Sequence, residues 1–131
     1  KSINVYNHGK MVRDFTYIDD IIKGLVSVID NPAKSNLDFK NNPSPNKSSA
    51  PYRIYNIGNN NPVQLMDFIS AIENKLNVVI SKNFMEIQPG DVPETYADVK
   101  GLTEDFNYTP STPIEIGISN FIDWYKMYYG K

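Results

Sequence analysis

Polar and apolar residues alternate along Asp14-Phe15-Thr16-Tyr17, a period of two that predicts a strand over 12–17. At Ile18 the period changes. Ile18, Ile21, Ile22, Leu25 and Ile29 share one helical face, which predicts a helix from about 18 to 30. Asp19 and Asp20 fall in its first turn, where carboxylates suit the unpaired N–H groups. Asn31-Pro32 stops it, because proline cannot continue a helix. Upstream, Ile3 and Val5 predict a short strand over 3–7, and Asn7-His8-Gly9-Lys10 reads as the turn between the two strands.

Residues 33–51 are polar and interrupted; Lys40 to Ala50 holds two prolines, three asparagines and three serines and reads as a loop. Tyr52 to Ile57 predicts a third strand, closed by Gly58. A second amphipathic helix begins between Pro62 and Leu65, with Leu65, Ile69, Ile72 and Leu76 on one stripe and Met66 beside it. Val78 to Met85 predicts a fourth strand, most strand-like at Val78-Val79-Ile80. Gln88-Pro89-Gly90-Asp91-Val92-Pro93 reads as an extended segment, and Asp98 as the cap of a short helix near 99–106. Thr112-Pro113-Ile114-Glu115 has a capping threonine, proline at the first helical position and glutamate three after the cap. It opens a last helix over 113–128, with Ile114, Ile118, Phe121, Tyr125 and Tyr128 on one face. Strands and helices interleave, so the expected fold class is α/β, with about four short strands in a small sheet and four helices.

The chain has 131 residues, enough for one domain with a core, and 40% apolar residues, enough to fold. The net charge is −2 with no basic tract, which leaves no electrostatic footprint for nucleic acid. No apolar run approaches the ~20 residues of a membrane span and no secretory signal is visible, so a cytoplasmic location is expected. There is no cysteine and one histidine, which removes thiolate and clustered-histidine metal sites. Apolar alternation begins almost at Lys1, so the chain reads as a piece of a longer one.

No Gly-x-Gly-x-x-Gly turn and no Walker loop is present, hence no dinucleotide cradle. His8 lies in a turn and reads as solvated. Tyr6 and Lys10 have the spacing of a dehydrogenase catalytic pair, but that spacing works only on a helix, and Gly9 places them in a turn. Arg13 is the candidate of most interest. An arginine held at a strand suits a phosphate, because its planar fork donates parallel hydrogen bonds; the plain alternative is a surface arginine paired with Asp14 or Asp91. Gln88 and Asp91 share a Pro-Gly turn where a backbone can approach a ligand, or which merely connects. A carboxylate such as Asp91 suits ribose hydroxyls, and an amide such as Gln88 can donate to phosphate or sugar oxygens. Tyr6 fits either core packing or stacking on a base.

Three stretches together, Ile3 to Asp20, Tyr52 to Asn59 and Gln88 to Asp98, resemble the C-terminal part of a nucleotide-sugar epimerase of the extended short-chain dehydrogenase/reductase family. The likeness covers essentially the whole chain, and Arg13-Asp14-Phe15-Thr16-Tyr17-Ile18-Asp19-Asp20 carries most of it. Gln88-Pro89-Gly90-Asp91-Val92-Pro93 is similar to the UDP-glucuronate 4-epimerase branch. The resemblance implies a two-lobed enzyme that converts UDP-glucuronate to UDP-galacturonate in surface polysaccharide precursor synthesis. Its N-terminal Rossmann lobe holds NAD and supplies the catalytic tyrosine and lysine. Residues 1–131 form the UDP-sugar-binding lobe: Asn4 and Tyr6 beside the uracil, Arg13 on the diphosphate, Asp91 on the ribose, and Gln88 where other branches carry arginine. On this reading the chain has no catalytic residue or NAD site of its own. It is expected to be inactive alone, monomeric, and partnered by UDP-sugar and the Rossmann lobe. The alternatives are the equivalent lobe of a dehydratase or decarboxylase, and a free-standing binding module.

Overall fold

A computed structural model describes residues 2–130. In chain order these are β1 (Ser2–Val5), β2 (Val12–Arg13), α1 (Ile18–Asp30), β3 (Val63–Gln64), α2 (Leu65–Leu76), β4 (Ser81–Phe84), α3 (Lys100–Phe106) and α4 (Ile114–Tyr129). The α/β reading holds, with one change. The strands form two separate two-stranded ladders instead of one sheet: β1 runs parallel to β4, with Val5 opposite Phe84, and β2 is antiparallel to β3.

Each strand is shorter than its alternation, and the causes are local. β1 ends at Val5 because Asn7, His8 and Gly9 take φ of 50°, 49° and 80° and turn the chain back. This is a 3-10 turn with left-handed residues, so Tyr6 and Lys10 do not share a helical face. Of residues 12–17 only Val12 and Arg13 pair with β3; Val12 also exchanges backbone bonds with Pro93 and Thr95. The run Val78-Val79-Ile80 is drawn over the end of α2. Asn77 caps that helix in the left-handed region, the Val78 N–H donates to the Glu73 carbonyl, and the Ile80 N–H to the Glu73 carboxylate. Lys82 also reaches that carboxylate, and the two bonds hold it below the usual glutamate range. Residues 52–57 are extended but are not a strand: Arg53 makes one isolated bridge, to Lys47.

The core gathers Val5, Met11, Ile69, Val99, Leu102, Tyr108, Ile118 and Ile122. α2 packs on α4, tied by Lys75 to Asp123 at 2.7 Å. The buried stripe of α4 is Ile118 and Ile122 with Ile114 half-buried beside them. Phe121, Tyr125 and Tyr128, expected on that face, point outward with Trp124 in a run of touching rings. Thr112 does not cap α4. Its N–H donates 3.0 Å to the Asp20 carboxylate, and the helix starts after Pro113. Val99 precedes α3, although Asp98 does accept the Lys100 N–H at 3.0 Å.

α1 has the predicted bounds and the opposite orientation. Ile18, Ile22, Leu25, Val26 and Ile29 are exposed, Ile29 to 65%, while Asp20 and Gly24 are buried. Gly24 is needed there: a Cβ would lie 3.0 Å from the Tyr108 ring. Asp20 is 1% exposed and accepts from the N–H groups of Ser111 and Thr112 and from Lys23. Burial pushes its carboxyl up, but hydrogen bonds from the Thr112 side chain and N–H, Lys23 and Ser111 outweigh that and hold it below the usual range.

Candidate functional site

β1 and β4 are parallel, so their carboxyl ends open on the same side. That is where open α/β sheets leave room for ligands. Tyr6 follows β1 there, and Met85 to Asp91 follow β4. Backbone bonds close the two ends together, Met85 N–H to Val5 and His8 N–H to Met85, each 2.9 Å. His8, read as solvated, is exposed in its turn, with Nε2 3.0 Å from Glu86. Asn4 lies opposite Asn83, whose side-chain amide donates to the Asn4 oxygen at 3.2 Å. Tyr6 is half-buried.

Arg13 projects from β2 onto the Pro-Gly turn. Its Nη1 donates to the carbonyls of Val12 at 2.8 Å and Pro93 at 3.1 Å, and its Nη2 to the Val92 carbonyl at 2.8 Å. Asp91 stands 3.6 Å from Nη2, beyond hydrogen-bond range but close enough to pair charges. Of the plain alternatives, Asp91 rather than Asp14 is the acid that Arg13 faces. A guanidinium has five N–H donors. Three are used on carbonyls, so the Nε–H and one Nη2–H are left to face a guest. The turn is closed by the Asp91 N–H on the Gln88 carbonyl at 3.1 Å, with Gly90 at φ 86° and open space where its Cβ would be. Every residue from Asn83 to Tyr96 is exposed, so this wall is open to solvent.

The structure therefore brings Arg13, Asp91 and Gln88 to one turn, and sets Asn4 and Tyr6 on the adjoining end of β1. Arg13 is not the free fork its sequence position suggests; it also clamps the 92–93 backbone. Sequence reasoning missed the acceptors, which are carbonyls, and it missed Asp14. The Asp14 carboxylate accepts the N–H groups of Ala97 at 3.0 Å, Asn60 at 3.1 Å and Asn61 at 3.4 Å. Backbone donors leave no residue pattern, so nothing in the sequence points to them. A cavity of about 370 Å³ lies elsewhere, between the start of α1 and α4. Its walls are apolar, from Phe15, Tyr17, Phe68, Ile118 and Phe121, and none of the candidate site residues lines it.

No protein-family model matches the chain. It is similar over its full length, at 52% identity, to Protein CapI of Staphylococcus aureus, of which it covers 40%. It is 39% identical to UDP-glucuronate 4-epimerase 1 of Arabidopsis thaliana over 99% of the chain and 30% of that relative. The fold matches UDP-glucuronic acid 4-epimerase of Bacillus cereus, solved with UDP-glucuronic acid and NAD, with a TM-score of 0.77 and 27% identity, over 98% of this chain and 36% of that one. The chain thus spans 30–40% of the length of these relatives.

Proposed function

We propose that this chain, which belongs by sequence and fold to the nucleotide-sugar epimerase/dehydratase family, is the lobe that grips the UDP part of a nucleotide sugar. The intact enzyme is a 4-epimerase of UDP-glucuronate, making UDP-galacturonate for surface polysaccharide. The observation that carries the reading is Arg13, at the end of β2 and 3.6 Å from Asp91 on an exposed turn.

The division of labour follows from the chemistry of each group. A diphosphate takes the two guanidinium N–H donors that the carbonyls leave, a charge-assisted pair in fixed geometry. Asp91 accepts from ribose hydroxyls, which keeps its charge off the phosphates. Gln88, neutral where a cation would add attraction, donates its amide to a phosphate or sugar oxygen. Tyr6 offers a ring to uracil and Asn4 an amide to its polar edge. NAD does not fit this chain, which lacks the glycine turn a dinucleotide needs, so hydride chemistry and the catalytic tyrosine and lysine belong to a Rossmann lobe. Two features support such a partner. α1 turns its apolar stripe outward, and the extended backbone at 55–57 has no ladder alongside it among the described residues. Residues 1–131 then act as one substrate lobe, monomeric and without turnover alone.

Ligand-observed NMR of the chain with UDP-glucuronate, UDP and NAD tests this. Both UDP compounds should bind, weakly because half the pocket wall is absent, and NAD should not. Binding of NAD, or indifference to UDP, would overturn the reading.

A further inference from the structure

We infer that Asp14 is a positioning residue, whose carboxylate sets where the Arg13 guanidinium and the Asp91 turn stand. The inference deepens the reading above, and its first test does not depend on it. The segment 92–97 hangs between two neighbouring side chains. Arg13 takes the carbonyls of Val92 and Pro93, and Asp14 takes the Ala97 N–H at 3.0 Å. The Asp14 N–H adds a contact to the Thr95 hydroxyl at 3.4 Å, and Val12 joins the segment through Pro93 and Thr95. The same carboxylate holds the turn at Asn60 and Asn61 through their N–H groups. Residues 92–96 are all exposed, so no packing from outside fixes the segment; these bonds do.

A second observation shows how close the three pieces come. A Cβ on Gly58 would lie 2.2 Å from the Ala97 Cβ and 3.0 Å from Asp14 Oδ2. No side chain fits between the turn, the segment and the carboxylate.

The test uses the ¹⁵N-labelled chain without ligand. Asp14→Asn keeps the shape and removes the charge-assisted acceptance. We expect amide exchange at Ala97 and Asn60 to rise at least tenfold, and the Arg13 Nε–H, Asp91 and Val92 resonances to move. Gly58→Ala keeps the Asp14 side chain but wedges Ala97 away and crowds Asp14 Oδ2, so the same resonances should move; Gly58→Ala with Ala97→Gly removes the 2.2 Å contact and should return them most of the way. If Asp14→Asn does not fold, the Gly58 pair decides alone. Folded variants with Arg13, Asp91 and Val92 at their wild-type resonances would overturn the inference, whatever their melting temperatures. UDP affinity should fall about tenfold in Asp14→Asn and in Gly58→Ala and recover in the double variant. A wild-type chain blind to UDP would sink the proposed function, while the resonances would still judge the clamp.

Discussion

Arg13 Nη2 stands 3.6 Å from the Asp91 carboxylate while it donates to the carbonyl of the next residue, Val92, at 2.8 Å. One cation thus holds a turn by its backbone and keeps that turn's acid at arm's length. The spacing leaves Asp91 free to accept from something else and leaves Arg13 with donors to spend.

Removing Arg13 should therefore act twice. Arg13→Ala should cost on the order of 1.5–3 kcal/mol of UDP binding, the range for hydrogen bonds to charged groups. It should also loosen the turn, seen as faster amide exchange at Asp91. Arg13→Lys keeps the charge but cannot serve three carbonyls and a guest, so its affinity should fall between the two. Titrations of the three proteins followed by chemical shift check the order.

Asp20 predicts an acid limb of stability. Its folded pKa lies below the ordinary 3.8. In the unfolded chain it titrates near 3.9, roughly the model-peptide value. A depressed carboxylate contributes stability that is fully present above the unfolded value and is lost as pH falls through the folded one. Urea unfolding should show wild type losing stability below about pH 4 more steeply than Asp20→Asn. Asp20→Ala at neutral pH takes the acceptor from the part-buried Ser111 and Thr112 N–H groups, which water reaches in part, so the cost should sit near the low end of about 1–3 kcal/mol.

The two faces of α1 should respond in opposite ways. Ile22→Lys and Leu25→Lys fall on the exposed stripe and should each change the chain's stability by less than about 0.5 kcal/mol. Gly24→Ala gains about 1 kcal/mol of helix propensity. It also drives a methyl to 3.0 Å from the ring of Tyr108, which is only 6% exposed and cannot give way. Overpacking of about 1–3 kcal/mol should win, so the smaller change is the destabilising one. If a Rossmann lobe supplied in trans binds the chain, the two lysine variants should prevent it.

Helices were more legible in the sequence than strands, for a physical reason. A helix closes its own hydrogen bonds, so the period of Ile18 to Ile29 suffices to bound α1. A strand needs a partner along its length, and the alternation at 52–57 meets only the single bridge from Arg53 to Lys47 among the described residues. Periodicity also could not tell which face of α1 is covered, because that depends on what lies opposite. Tyr108 and Thr112 cover its polar side here. At the site, Arg13 and Asp91 were legible as chemistry, and their meeting on one turn followed. Asp14 and the clamp on Val92 and Pro93 were not, since main-chain donors and acceptors look alike at every position.

The most direct test is a map of UDP on the ¹⁵N-labelled chain. The resonances of Arg13, Gln88 and Asp91 should move together with those of Asn4 and Tyr6, with one dissociation constant, while those lining the apolar cavity at Phe68 and Phe121 stay still. Movement confined to that cavity, or no movement at Arg13 and Asp91 at saturating UDP, would contradict the proposed function.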